Sequence, residues 1–162
     1  MNKVYILLAI SCAFVGLASS EVILNNKCTG RSREASPLST VHEIQVEPCA
    51  NADGEIPCEF QRGENSTAIV TISFTPQQKH KKLKATMVWA TGSIDLPFRG
   101  MPSNACRSLI EGRCPTTPNQ RMTWSAAIPI LPSFPANTYP LKLKIQDGSK
   151  FVVCQQFRIK LI

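Results

Sequence analysis

Apolar and polar residues alternate along most of the chain after its first 40 residues. In the segment 67–75, Ala68, Val70, Ile72 and Phe74 occupy every second position, and most positions between them are threonine or serine. A period of two is typical of a β-strand with one buried and one exposed face. The same alternation recurs in further segments, which we also predict to be strands: 41–47, 83–91, 93–98, 122–130, 141–146 and 151–162.

Turn-forming residues separate these segments at 62–65, 77–82 and 146–150. The last of these contains Asp147-Gly148, which is a strong signal for a β-hairpin. No segment has the apolar spacing of an amphipathic helix. About seven short strands with turns between them predict an all-β fold, a sandwich of two antiparallel sheets. No internal repeat or linker divides it.

One segment combines apolar residues with a high density of proline. Between Ser125 and Gln146 the chain contains Pro129, Pro132, Pro135 and Pro140 among large apolar side chains. Proline lacks a backbone donor, so it is excluded from a helix interior and would break the ladder of a central strand. We therefore predict an apolar segment that holds an extended shape without a partner strand.

Residues 1–20 have the composition of a secretory signal peptide. Lys3 provides a charged start, an uncharged apolar run follows, and small residues precede a predicted cleavage before Glu21. A membrane anchor is the alternative, but the apolar run is short and ends in small residues. We expect residues 21–162 to form one domain in a secreted protein.

Six of the seven cysteines lie after the predicted signal peptide. An even number in an oxidising compartment predicts three disulfides, although six cysteines allow many pairings. Zinc binding is the alternative, and the absence of a C-x-x-C pair argues against it. Two pairs flank short loops, and the other two cysteines lie near the ends of the domain. We therefore expect these bonds: Cys28–Cys154, Cys49–Cys58 and Cys106–Cys114.

Charge and motifs narrow the classes of function. Residues 21–162 contain 17 basic and 11 acidic residues, a net charge of +6. The densest basic cluster, at 79–84, lies in a predicted turn, and we interpret it as a solvated surface; attraction to anionic lipid headgroups is the alternative. It lacks the interleaved aromatic residues of a nucleic-acid site. The chain also lacks the common catalytic and nucleotide-binding motifs, so we predict a protein that is not an enzyme and has no cofactor or metal.

A glycosylation signal lies between two predicted strands. Asn65 is followed by Ser66 and Thr67, which completes the acceptor sequence for N-glycosylation. Since we expect a secreted protein, we predict a glycan on Asn65.

The cysteines and their neighbours resemble the ML lipid-recognition family, and most of all its Niemann-Pick type C2 branch of sterol and lipid carriers. The group 2 mite allergens share the element seen here as PSNACRSLIEGRCP. The resemblance covers the chain from Cys28 to its end. Its elements are VEPC at 46–49, CEFQRG at 58–63, LPFRGMPSNAC at 96–106, RCPTTPNQ at 113–120 and FVVC at 151–154.

The resemblance implies an immunoglobulin-like β-sandwich whose two antiparallel sheets enclose an apolar ligand cavity, with the three disulfides given above and no catalysis. It places Phe98, Ile130 and the pair Phe134-Pro135 at the mouth of that cavity. Arg99, next to Phe98, is then a candidate partner for a ligand headgroup.

The inward positions of the predicted strands supply either an ordinary core or the wall of a pocket, and alternation alone does not distinguish the two. The candidate ligand-binding residues are Phe60, Val70, Ile72, Leu96, Phe98, Trp124, Ile128, Ile130, Phe134, Pro135, Leu141, Leu143 and Phe157.

We therefore expect a monomeric, secreted carrier that binds a sterol, a fatty acid or a semiochemical and transfers it to a membrane or a lipid-receiving protein. It would act in extracellular fluid or in lysosomes. One alternative is an innate-immune module that binds microbial lipids and bridges to a receptor. Another is a structural sandwich with a solid core and no ligand.

Overall fold

The architecture is nearly all β. The structure, a computed structural model, describes residues 20–23, 25–28, 38–49, 56–90 and 95–162. Positions 1–19 of the predicted signal peptide, and positions 91, 93 and 94 of two predicted strands, lie outside the described residues. No helix within the described ranges is long and apolar enough to cross a membrane.

The described ranges contain eleven strands and one turn of 3-10 helix. Seven strands correspond to the alternating segments, and the other four have only two or three residues, too few to show a period. The strands are β1 (Glu21–Val22), β2 (Asn26–Lys27), β3 (Ser39–Glu47), β4 (Cys58–Phe60), β5 (Thr67–Pro76), β6 (Lys84–Ala90), β7 (Asp95–Pro97), β8 (Leu109–Glu111), β9 (Met122–Pro129), β10 (Asn137–Asp147) and β11 (Lys150–Leu161), and the 3-10 turn (Ala105–Ser108) precedes β8.

These strands form two sheets, in the orders β1-β3-β5-β9-β8 and β2-β11-β10-β6-β7. The described pairs are antiparallel, as predicted, except that β4 runs parallel to β11. The predicted hairpin joins β10 to β11, with Gly148 at φ 60° in its turn.

The core lies between the sheets. Ile44, Ile72 and Trp124 are directly opposite one another on β3, β5 and β9, and all three are fully buried. The polar residues between the inward positions face outward, where Thr71 Oγ1 lies 2.9 Å from Ser125 Oγ. The alternation therefore identified the correct buried face of this sheet.

Three disulfides connect the described cysteines, and their pairing is the expected one: Cys28–Cys154, Cys49–Cys58 and Cys106–Cys114. The first joins residues 126 positions apart, so it fastens the beginning of the domain to β11. The other two close short loops, one directly before β4 and one that contains β8.

The lysine-rich turn at 77–82 differs from its prediction at one residue. His80 is buried, whereas the lysines of this turn are exposed. The His80 backbone N–H donates to Thr116 Oγ1 over 2.8 Å, and His80 Nδ1 lies 3.4 Å from Asp147 Oδ2. The prediction of a solvated surface is therefore wrong for His80, because segments distant in the sequence cover it.

The prolines interrupt the sheets less than predicted. Pro129 ends β9, and Pro140 lies within β10 opposite Arg158 of β11. The pairing of β10 with β6 begins at Leu141, so the donor that Pro140 lacks removes no bond to β6. Residues 131–136 have no partner strand, as predicted, but they are not extended: they form a turn in which the Phe134 N–H donates to the Leu131 carbonyl over 3.1 Å.

On the outer face of the second sheet, Asp95 of β7 binds two lysines of β10. Its carboxylate lies 3.1 Å from Lys142 Nζ and 2.7 Å from Lys144 Nζ. Burial alone would raise the pKa of Asp95, but hydrogen bonds from Lys144 and Lys142, with their charges, outweigh it and hold that pKa below its usual 3.8. This ion pair fastens the edge strand to the sheet.

Asp95→Asn should weaken the fold at neutral pH and flatten its acid response. Because the folded-state pKa is lowered, the carboxylate stabilises the fold above its unfolded-state pKa, and this contribution disappears as the pH falls through the folded-state pKa. We expect the free energy of unfolding of the wild type to decline below about pH 4, and that of the variant to decline less. Urea unfolding at several pH values measures this.

Glu59→Gln is the matched control, since the ion pair of Glu59 with Lys160 is exposed and should contribute little. If Asp95→Asn and wild type lose stability in parallel between neutral pH and about pH 2, the carboxylate does not carry the effect.

Candidate functional site

Four aromatic side chains meet at the end of the sandwich, and we call them the aromatic cluster. The Trp89 ring of β6 lies 4.3 Å from the Tyr139 ring of β10, between centroids. Phe98, directly after β7, lies 4.5 Å from Trp89 and 5.0 Å from Phe134. Phe134, between β9 and β10, lies 5.7 Å from Trp89. The cluster therefore joins four segments that are distant in the sequence.

The loop between β9 and β10, which carries Phe134, is held from two sides. Arg62 Nη1 donates to the Phe134 carbonyl over 3.1 Å, and Arg62 Nε donates to the Ile162 carbonyl over 3.3 Å. The Tyr139 hydroxyl donates to the Pro135 carbonyl over 2.9 Å. Side chains thus donate hydrogen bonds to the backbone carbonyls of this loop, since its prolines have no backbone N–H to donate.

The turn that carries Phe98 packs against the end of β9. Gly100 has φ +89°, and a Cβ on Gly100 would lie 2.5 Å from Pro129 Cγ. The Phe98 backbone N–H donates to the Met87 carbonyl over 2.9 Å. The turn therefore contacts both β6 and β9, which belong to different sheets, and it joins the sheets beside the aromatic cluster.

Gly100→Ala should lower the free energy of unfolding by about 2 kcal/mol or more, because alanine is strained at this φ and its Cβ would clash with Pro129. Gly148→Ala is the matched control: Gly148 also has a positive φ, but a Cβ there would meet no atom within 4 Å. Denaturant unfolding of the two variants separates backbone strain from the clash. Equal losses would mean that contact with Pro129 is unimportant.

Ten of the thirteen candidate ligand-binding residues are buried between the sheets or at their end, while Phe134 is half-buried and Pro135 is exposed. Burial is common to a core residue and a pocket wall, so their role in binding stays a prediction. The ten are Phe60, Val70, Ile72, Phe98, Trp124, Ile128, Ile130, Leu141, Leu143 and Phe157.

Leu96 is the exception among the predicted inward residues. It lies opposite Trp89 in the strand register, yet it is 50% exposed. Because β7 is the last strand of its sheet, the facing sheet does not cover this position. The prediction that Leu96 is interior is therefore wrong. Arg99 is exposed on the turn directly after Phe98, within reach of solvent.

Sequence reasoning missed four residues that build this end of the molecule: Trp89, Tyr139, Arg62 and Gly100. Trp89 lies in a predicted strand and Tyr139 in the proline-rich segment, and nothing in the residues near either one indicates that they meet. The roles of Arg62 and Gly100 depend on contacts with Phe134 and Pro129, which no nearby residue signals.

A surface groove of about 330 Å³ lies beside Phe98 and Met101, but Thr86, Lys144 and Gln146 of the outer face of the second sheet also line it. This groove is therefore not a space between the sheets. The fold combines a mostly apolar interior with an aromatic cluster at one end.

A comparison with protein families resolves which kind of sandwich this is. The family model described as the ML domain matches residues 24–161. The chain belongs to the ML domain family. The crystal structure of a Niemann-Pick type C2 protein from Japanese carpenter ant matches this ML domain with a TM-score of 0.71 and 17% sequence identity, over 86% of this chain and 99% of that chain. A comparison with curated protein sequences found no match.

The ML domain is a lipid-binding domain, and the family match gives this chain that general class of function. The fold shared with the carpenter-ant protein agrees with the immunoglobulin-like sandwich that the sequence resemblance implied. At 17% identity this likeness concerns the fold alone.

Proposed function

We propose that this protein is a secreted, non-enzymatic carrier that holds one hydrophobic molecule between its sheets and transfers it to a membrane or a lipid-receiving protein. The observation that carries the proposal is the aromatic cluster. Trp89, Phe98, Phe134 and Tyr139 come from four segments and meet where the two sheets end. An ordinary sandwich can end in polar loops, whereas an apolar end suits the passage of an apolar ligand.

The aromatic cluster has the properties of a closure that can open. Phe134 lies on a loop without a partner strand, so it can move without breaking sheet hydrogen bonds. Phe98 is buried at 6% exposure on a turn fixed by Gly100. Each aromatic contact contributes about 0.5–1.5 kcal/mol beyond burial, which a bound ligand could replace with contacts of its own.

The energetics are compatible with reversible carriage. Burying one methylene stabilises a complex by about 0.8 kcal/mol, so a sixteen-carbon chain gains roughly 12 kcal/mol before costs. Loss of translational and rotational freedom opposes this by about 4–15 kcal/mol. At the lower end of this cost about 8 kcal/mol remains, which corresponds to an affinity near micromolar, weak enough to release the cargo.

The proposed cargo is a sterol, a fatty acid or a similar lipophile. Arg99, exposed beside Phe98, is suited to pair with a carboxylate at the mouth. In that case Arg99→Ala should weaken binding of a fatty acid more than binding of its methyl ester. An unchanged ratio of the two affinities would remove Arg99 from the proposal.

Three disulfides support a destination outside the reducing cytosol, either extracellular fluid or lysosomes. The exposed turn position of Asn65 is compatible with the predicted glycan. Peptide mapping of protein from a eukaryotic secretory host, with and without glycosidase, would test both the cleavage before Glu21 and the glycan.

Native mass spectrometry of the protein from such a host, with solvent extraction of whatever co-purifies, tests the carrier directly. A bound sterol or fatty acid would support the proposal and identify the cargo class. Preference for lipid A over cholesterol and oleate would favour the immune-recognition alternative. A protein that binds none of these lipids would have an interior filled by its own side chains, and the proposal would fail.

A further inference from the structure

Two hydrogen-bonding atoms on inward positions of the sandwich are buried and have no partner among the described residues: Gln155 Oε1 and Trp124 Nε1. Gln155 is 3% exposed and Trp124 is fully buried. Buried indole N–H and amide groups normally find a partner. One atom is an acceptor on the second sheet, and the other is a donor on the first.

Gln155 interrupts an otherwise apolar face. On the second sheet it lies opposite Leu143, which in turn lies opposite Met87. The rows on either side are entirely apolar: Phe157, Leu141 and Trp89 towards the aromatic cluster, and Val153, Ile145 and Ala85 away from it. Gln155 is therefore the one polar residue among these inward positions of β6, β10 and β11.

The row of Gln155 is two residues from the row that contains Trp89. At about 3.3 Å per residue along a strand, Gln155 lies roughly 7 Å inside the aromatic cluster. A ligand that enters past Trp89 and Phe98 would reach this depth with its chain rather than with its headgroup.

Trp124 presents the complementary group from the facing sheet. It lies opposite Ile72 and Leu109, and its ring is the largest fully buried side chain among the described residues. Its N–H is buried without a partner among the described residues, as is Gln155 Oε1. Each sheet therefore carries one buried polar atom that a ligand held between them can satisfy.

We propose that the cargo carries a hydroxyl group on the part of the molecule that lies between the sheets, where Gln155 and Trp124 bind it. This inference rests on the proposed function, because it requires a ligand in the interior. A hydroxyl can donate to Gln155 Oε1 and can accept from Trp124 Nε1, and it satisfies an amide in either orientation. A carboxylate is less suitable, because burying its charge without a paired cation costs far more free energy than burying a hydroxyl.

The test compares ligands that differ only by a hydroxyl. Octadecanoic acid is paired with its mid-chain hydroxy derivatives, and cholesterol with its side-chain hydroxy derivative, with dissociation constants measured by displacement of a fluorescent lipid. A pocket without polar groups should bind each hydroxylated ligand roughly 10- to 100-fold more weakly than its parent, because the buried hydroxyl would have no hydrogen-bond partner. We expect at least one hydroxylated ligand to bind as tightly as its parent or more tightly.

Gln155→Met should then lower the ratio of hydroxylated to parent affinity by tenfold or more. Gln156→Met is the matched control, since Gln156 is the next residue of β11, faces outward opposite Lys142, and should leave the ratio unchanged. Trp124→Phe provides a second variant if Gln155→Met does not fold, which circular dichroism reports.

The outcomes separate the two proposals. If neither parent nor hydroxylated ligands bind, the carrier function fails. If parents bind but every hydroxylated ligand is at least tenfold weaker, the carrier stands and the hydroxyl site is wrong. The hydroxyl site is also wrong if the wild type favours a hydroxyl and Gln155→Met and Trp124→Phe both keep that preference.

Discussion

Val70→Phe should weaken lipid binding by about a hundredfold while changing the free energy of unfolding by less than about 1 kcal/mol. Val70 lies between Val46 and Ala126 on the inner face of the first sheet, where neighbouring side chains are small. If this position lines a pocket, the phenylalanine ring occupies the volume of about four methylenes of the ligand. Excluding them removes about 3 kcal/mol of binding free energy.

The same substitution distinguishes a pocket from a core. In a close-packed core the larger side chain would have no space, and overpacking typically costs about 1–3 kcal/mol. Displacement of a fluorescent lipid and urea unfolding of the same sample measure both quantities. Ile69→Phe is the matched control, because Ile69 is adjacent but exposed, so binding and stability should both be retained. Loss of stability together with full binding in Val70→Phe would assign Val70 to the core.

Removing the Cys28–Cys154 disulfide, by changing both cysteines to alanine, should cost about 4–5 kcal/mol of unfolding free energy. The reason is the length of the chain between them, since the bond joins residues 126 positions apart and restricts nearly the whole unfolded domain. A domain whose total stability is about 5–15 kcal/mol could lose most of it. Guanidinium unfolding of wild type and variant gives the difference.

The Cys106–Cys114 bond is the matched comparison, because its residues are only 8 positions apart. Loop-closure entropy gives it about 2–3 kcal/mol. If both double variants lose the same free energy, the stabilisation does not come from restricting the unfolded chain. The two buried cysteines of the long bond would then act mainly through packing.

The candidate site was only partly predictable from sequence. Phe98 and Phe134 emerged from a family resemblance, and the structure brings their rings to within 5.0 Å. Trp89 and Tyr139 complete the same cluster, but they are 50 residues apart in the chain. A local pattern reports which side of a strand a residue occupies, and it does not report which distant residue lies across from it.

The wrong predictions of exposure for Leu96 and His80 have the same cause, which is contact between residues that are distant in the sequence. Leu96 has an alternating pattern around it, but it lies on the last strand of its sheet and stays half-exposed. His80 stands among lysines, yet Thr116 and Asp147 cover it. In each case burial depends on whether another element covers the position, and that element is remote in sequence.

The sequence by itself determined the all-β class, the seven strands with an alternating pattern, the hairpin at Asp147-Gly148 and, through its cysteines and the motifs beside them, the family. These features follow from short-range rules, since a period of two, a turn dipeptide and the motif beside a cysteine each involve residues that are close in the sequence. Only the tertiary structure decided that four aromatic rings meet at one end of the sandwich, and that Gln155 Oε1 and Trp124 Nε1 are buried without partners among the residues it describes. Such features depend on how two sheets are placed against each other, because that placement sets which side chains meet and which polar atoms are left unpaired.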